Sequence, residues 1–181
     1  MVKNPSEVLR GFIRSVPDFP KKGILFRDIT PLLLDDTAFS DAIEVFYRRY
    51  LDKGIDKIVS IESRGFILGS VLAYRLGAGF VPVRKPNKLP AETIREAYML
   101  EYGEDALEMH RDAISRGDSV LIIDDLLATG GTAVAASRLV ERCGGTVREL
   151  AFLIELSFLN GREKLQPRPV FTIIDYRDDV S

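Results

Sequence analysis

Apolar residues gather along this chain in short runs set off by turn residues and charges: KIVSI at 57–61, FVPVRK at 80–85, VLIID at 120–124, LAFLIEL at 150–156 and VFTIIDY at 170–176. Their length and their β-branched content predict buried strands. Between them the apolar positions fall at helical spacing, in DTAFSDAIEVFYRRYLDKG (36–54), GFILGSVLAYRLG (65–77) and GTAVAASRLVERCGG (131–145). Each closes on glycine, as helices often do. Strand and helix in alternation predict a single α/β domain over 1–181, with a mostly parallel central sheet flanked by helices. Ligands of such sheets bind where strand carboxyl ends meet the next helix.

Two stretches break the alternation. VPDFPKKGILFRDITPLL, about 16–33, carries three prolines and a glycine, which predicts a small irregular N-terminal hood with one short extended piece. Lys21 and Lys22 within it have no evident role. ETIREAYMLEYGEDALEMHRDAI, 92–114, roughly alternates polar and apolar residues on both sides of Gly103. That pattern predicts a flexible two-stranded flap over about 92–110, with helical spacing as the alternative for its second half.

Composition narrows function mainly by exclusion. A formal net charge of -2 and a pI near 5.6 leave no overall basic field for nucleic acid or an anionic membrane, so an anionic ligand must be held by local groups. No stretch approaches the roughly 18 apolar residues of a membrane span, and the N-terminus lacks a leader pattern. Cys143 is the one cysteine, which rules out an intrachain disulfide and a multi-cysteine metal cage. A reducing cytoplasm is the expected setting. With His110 the single histidine, a His-dependent triad or a multi-histidine zinc site would rest on that residue alone.

The chemistry concentrates in SVLIIDDLLATGGTA, 119–133. Val120 to Ile123 suit a strand buried on both faces, which places Asp124 and Asp125 at its carboxyl end. Ala128, Thr129, Gly130, Gly131 and Thr132 then supply a sharp turn into a helix. Glycines let successive backbone N–H groups approach an anion, and the threonine hydroxyls add donors near the helix N-terminus, so phosphate is the natural guest. The loop lacks the glycine–lysine–Ser/Thr ending of a Walker A motif. Adjacent carboxylates repel each other and call for cations or hydroxyl donors, such as a sugar diol with magnesium nearby. Acids and phosphate loop in series would hold a ribose 5-phosphate; the plainer reading is a solvated acidic pair before an ordinary helix cap.

VLIIDDLLATGGTA resembles the phosphoribosyl diphosphate (PRPP) signature of the type I phosphoribosyltransferases, in the form used by members that act on adenine. The resemblance extends in order through FPKKGILFRDITPLL, ESRGFILG, VPVRKPNKLP, YMLEYGEDALEMHRDAI and ELSFLNGREKL, nearly the whole chain. It implies Mg²⁺-dependent transfer of 5-phosphoribosyl from PRPP to a purine base in salvage, giving the nucleotide and pyrophosphate. Asp124 and Asp125 would take the ribose hydroxyls directly or through magnesium, itself bound mainly through PRPP. Residues 128–132 would clasp the 5-phosphate. Ser63, Arg64, Lys85 and Lys88, with Arg84 as the weaker candidate, would meet the pyrophosphate, and a cis peptide would fall at Glu62–Ser63. The basic triad, read alone, is also what a solvated turn looks like.

For the base, the resemblance assigns stacking to Phe26 with Leu126 opposite, edge recognition to Leu25, and a nearby contribution to Arg27. Relatives acting on hypoxanthine and guanine carry an aspartate near the position of Ala128, so the proton on the attacking nitrogen would pass to Glu101 of the flap, flanked by Tyr98 and Tyr102. A homodimer is implied as well, with no nucleic-acid or membrane partner. Two competing readings share the PRPP site: a transferase for xanthine or another purine, in which the loop tends to differ from ATGGT, and a PRPP-sensing regulator, which usually adds a DNA-binding domain.

Overall fold

The structure, a computed structural model, describes residues 4–100 and 103–178. From the N-terminus it runs through helix α1 (Pro5–Arg10), strands β1 (Arg14–Pro17) and β2 (Leu25–Asp28), helices α2 (Thr30–Leu34) and α3 (Asp36–Tyr50), strand β3 (Lys57–Ile61), helix α4 (Gly65–Leu76) and strand β4 (Gly79–Val83). There follow β5 (Thr93–Leu100), β6 (Gly103–His110), β7 (Ser119–Leu127), helix α5 (Gly131–Arg142), β8 (Thr146–Leu156), two short 3₁₀ turns and β9 (Val170–Tyr176). Five strands form one sheet in the order β4-β3-β7-β8-β9, parallel at every pairing. The expected α/β class with a parallel sheet is what the chain adopts.

The run at 120–123 shows why this sheet is buried on both faces. Successive side chains of a strand point to opposite sides, so Val120 and Ile122 join one core with Val59, Val81, Leu139 and Phe152, while Leu121 and Ile123 join another with Ile58, Leu68, Phe46 and Ile174. Fully burying one such side chain is worth about 1.5–3 kcal/mol. Helix α3 covers its side with Ala38, Ala42, Phe46 and Tyr50, a four-residue spacing that keeps them on one stripe, and Asp35 caps its start by accepting from the Ala38 N–H at 2.8 Å.

The segment expected to be irregular is more ordered than its prolines suggest. β1 and β2 pair antiparallel, from Arg14 opposite Asp28 to Pro17 opposite Leu25. Pro17 ends a strand and Pro20 lies in the connecting turn, so neither removes a central ladder bond, and Pro31 sits in the first turn of α2, where no N–H partner exists to lose. Asp18, at φ 58, closes the turn by accepting from Gly23 at 2.7 Å; Lys21 and Lys22 are exposed within it. The 92–110 segment is a β5–β6 hairpin, registered from Thr93 opposite His110 to Leu100 opposite Gly103, so strand alternation prevails over the helical alternative. Arg84 bridges to Glu108, and Arg138 and Arg142 of α5 pair with Glu96. Among the described residues no helix is long and apolar enough to cross a membrane.

Candidate active site

β3 leads through α4 to β4 on one side of the sheet, whereas β7 leads through α5 to β8 on the other. The carboxyl ends of β3 and β7 therefore flank a topological switch point, where open parallel sheets leave a crevice. β7 pairs with β3 only as far as Ser60 opposite Ile123, then continues along β8 to Leu127. Asp124 and Asp125 thus lie inside the strand's final stretch rather than beyond its end, just past the last residue that pairs with β3. A cavity of about 320 Å³ opens there, lined by Ser63, Arg64, Lys85, Asp124, Asp125 and the 128–130 loop among others.

The two carboxylates sit in unequal surroundings. Asp124 accepts from the Asp125 N–H at 2.9 Å, and Asp125 is paired with the Arg64 guanidinium at 2.9 Å. Burial holds the Asp124 carboxyl well above the usual carboxylate range, and the neighbouring Asp125 charge adds to the shift. Burial also raises Asp125, against the opposing pull of Arg64. The pair therefore resists full ionisation until a ligand supplies donors or positive charge. Gly65 makes this approach feasible, because a Cβ there would lie 2.6 Å from the Asp124 carboxylate oxygen.

Arg64 does more than sequence reasoning assigned to it. Besides holding Asp125, its guanidinium lies 4.9 Å from the Phe26 ring centroid, tying the β1–β2 hairpin to the acids. Its Nη1 is buried without a hydrogen-bond partner among the described residues, a donor left for a ligand. The Glu62–Ser63 peptide before it is cis.

The 5-phosphate loop is shaped by backbone. Gly130 takes φ 80 to start α5, no side chain caps that start, and no acid occupies the first turn, so the helix N-terminus presents free N–H groups and an unopposed positive dipole end. Ala128, Thr129, Gly130 and Thr132 line the cavity, whereas Gly131 packs beneath the Tyr98 ring. Gly161 escaped sequence reasoning. A Cβ at Gly161 would fall 2.0 Å from the Ala128 carbonyl oxygen, and one at Gly130 would fall 2.6 Å from the Gly161 carbonyl oxygen. Glycine on both sides lets the two backbones abut.

The basic triad differs from the expected open positive site. Glu62, only 8% exposed, accepts from Arg84 Nε at 2.7 Å, from Lys88 Nζ at 2.8 Å and from the Lys85 N–H at 3.2 Å. Burial alone would raise its pKa, but the bonds from Lys88 and Arg84 hold it below the ordinary glutamate value. Lys85 Nζ is paired with Asp105 of β6. The three cations thus share two acids, Arg84 and Lys88 on Glu62 and Lys85 on Asp105, and only Lys85 of the three lines the cavity. The juxtaposition arises because β3 and β4 end together, with the Glu62 N–H donating to Val83 O at 3.0 Å.

Of the base-pocket candidates, Leu126 lines the cavity, whereas Leu25, Phe26 and Arg27 do not. Phe26 is linked to the cavity through Arg64. Arg27 is directed elsewhere: its buried guanidinium donates to Ser15 Oγ at 2.6 Å and lies 3.9 Å from the Tyr176 ring centroid, so it secures the hairpin to β9. Glu101 and Tyr102 lie outside the described residues.

Residues 23–177 match the family model described as the phosphoribosyl transferase domain. The adenine phosphoribosyltransferase of Chloroflexus aurantiacus is 58% identical over 168 residues, 93% of this chain and 97% of that protein. The crystal structure of adenine phosphoribosyltransferase from Thermoanaerobacter pseudethanolicus superposes with a TM-score of 0.92 at 53% identity, covering 94% of this chain and 99% of that one. The Saccharomyces cerevisiae enzyme, complexed with adenine and an imino-altritol bisphosphate, gives 0.89 at 43% identity over 95% of this chain and 99% of its own. With a parallel sheet, an acid pair and a glycine-shaped loop at its switch point, the chain belongs to the phosphoribosyltransferase family and, within it, to the adenine phosphoribosyltransferases.

Proposed function

We propose that residues 1–181 act as one phosphoribosyltransferase domain, with a hood at about 16–33, a flap at about 92–110 and a PRPP loop at 124–132, transferring 5-phosphoribosyl from PRPP to adenine to give AMP and pyrophosphate. The observation that carries this reading is the placement of the Asp124–Asp125 pair beside the uncapped start of α5 in one cavity. Asp124 and Asp125 hold the ribose 2- and 3-hydroxyls and face the positive charge that the sugar develops as the bond to pyrophosphate breaks. Backbone N–H groups of 128–132, with the Thr129 and Thr132 hydroxyls, bind the 5-phosphate. Arg64, Ser63 and Lys85 receive the pyrophosphate, with Arg84 and Lys88 behind them. Adenine lies along Leu126 with Phe26 stacked on it and Leu25 backbone groups at its edge; Arg27 supports that hairpin from below.

The donor set fits magnesium only as a shared ion. Among the described residues no group of three or more His, Cys, Asp or Glu gathers to hold a metal. Magnesium accepts one or two carboxylates together with substrate phosphates, which is what Asp124 and Asp125 could offer beside PRPP. Bound there, it would neutralise charge on the pyrophosphate. The N9 proton of adenine goes to Glu101, brought over the base as the flap closes and excludes water.

The natural setting of this reading is purine salvage in the cytoplasm, as a homodimer. Supporting the dimer, Ile67, Tyr74 and Phe80 of α4 and β4 are exposed, Tyr74 to 87%. Sedimentation at micromolar concentration checks it.

The test of the activity mixes protein, PRPP and magnesium with adenine, guanine, hypoxanthine, xanthine or orotate and follows pyrophosphate release. Adenine should support turnover; turnover with xanthine in its place would overturn the assignment. Glu101→Gln should retain PRPP binding and lose about 100-fold or more in kcat, as expected for a general base.

A further inference from the structure

The hairpin carries an acid, Asp105, to which the proposed reaction assigns no step. Asp105 sits on β6 opposite Tyr98, its Oδ2 paired with Lys85 Nζ and within 3.2 Å of the Tyr98 hydroxyl, while its Oδ1 accepts from the Ala106 N–H at 2.8 Å. Lys85 and Tyr98 both line the cavity, and Asp105 stands behind them. The pairing is accessible to competition, since the Lys85 side chain is 50% exposed and that of Asp105 20%. Tyr98 meanwhile lies against the start of α5, its ring 3.4 Å from where a Gly131 Cβ would stand.

We propose that Asp105 is a positioning residue that occupies Lys85 as an internal anion in the free enzyme and competes with pyrophosphate for it. This rests on the reading that Lys85 meets the pyrophosphate. A phosphate oxygen arriving at Lys85 displaces Asp105, and when pyrophosphate leaves, the carboxylate returns to the ammonium. Asp105 thereby weakens retention of PRPP and pyrophosphate and speeds product departure. Its effect has a sign that a merely structural role lacks: removing a carboxylate that only propped Lys85 in place would weaken anion binding, whereas removing a competitor tightens it. Glu62 differs in kind, because it is shared among three donors and almost fully buried.

The test titrates pyrophosphate in magnesium buffer into the full-length wild type, Asp105→Asn, Asp105→Ser, Lys85→Ala and the Lys85→Ala/Asp105→Asn double variant, by calorimetry, with PRPP KM and kcat alongside. Asp105→Asn should bind pyrophosphate about three- to fivefold more tightly, the scale of a partly exposed ion pair, with a lower PRPP KM and no gain in kcat. In the Lys85→Ala background the same substitution should change nothing. Asp105→Ser serves equally if the Asn variant fails to fold. Unchanged or weaker pyrophosphate binding in the folded Asp105 variants, with Lys85→Ala weakening it, would overturn the competitor role alone. Pyrophosphate binding indifferent to Lys85→Ala would remove the reading beneath it.

Discussion

Two loops meet across the cavity, and they are built on opposite plans. The 128–132 loop is held by backbone: Gly130 and Gly161 abut where neither tolerates a Cβ, and an uncapped helix start supplies the donors. The 84–88 loop is held by side chains: Glu62 pairs with both Arg84 and Lys88, and Asp105 pairs with Lys85. The difference matches what each would bind. A phosphate that stays on the product through the reaction suits fixed N–H groups that need no rearrangement. A pyrophosphate that must leave suits long, exposed cations with an internal anion ready to take them back. Shape is therefore stored where the ligand persists, and exchangeable charge where it departs.

The backbone plan breaks most severely. Gly161→Ala places a methyl carbon on the Ala128 carbonyl, and backbone has little room to yield. The expected cost is about 1–3 kcal/mol of stability, with PRPP KM up roughly tenfold and adenine KM little changed; equal changes in both constants would mean that the loop is not the part displaced. The side-chain plan should fail more gently. Glu62→Gln should cost about 1 kcal/mol, because its partners are 35–50% exposed and solvent screens them. Its pKa is lowered on folding, so that stability is present above the ordinary glutamate value and is lost as pH falls through the lowered one. Denaturation of wild type and variant should therefore converge in acid, and a gap that persists there would point to packing instead.

The smallest effect has the opposite sign. Asp124 has a raised pKa, so its contribution is most favourable below the ordinary aspartate value and is lost as pH climbs through the raised one. Asp124→Asn should lift Tm by a few degrees at neutral pH in the absence of ligand, with the gain fading in acid, while PRPP protection against unfolding disappears. A lower Tm at neutral pH would show that Asp124 stabilises the free enzyme.

Much of this frame was readable in advance. KIVSI and VFTIIDY coincide with β3 and β9, and Asp124, Asp125, Leu126 and the 128–130 loop line one cavity. The hood was harder, because prolines read as breakers fall at a strand end, in a turn and in a helix's first turn, where they cost nothing. The resemblance gave Arg27 a contribution near the base; along a strand adjacent side chains diverge, and Arg27 turns away from Phe26 to Ser15 and Tyr176.

By itself the sequence determined the sheet, the burial of β7 on both faces and the turn that opens α5, since hydrophobic period and glycine placement are local properties of the chain. Only the tertiary structure decided that Arg64 would hold Asp125, that Glu62 and Asp105 would pair with the basic loop, and that Gly161 would support Ala128. Those partners lie far apart along the chain, and which of them meet depends on where β3, β4 and β7 end beside one another. Coulomb attraction and steric exclusion act over a few ångströms in space, a distance that sequence spacing does not encode.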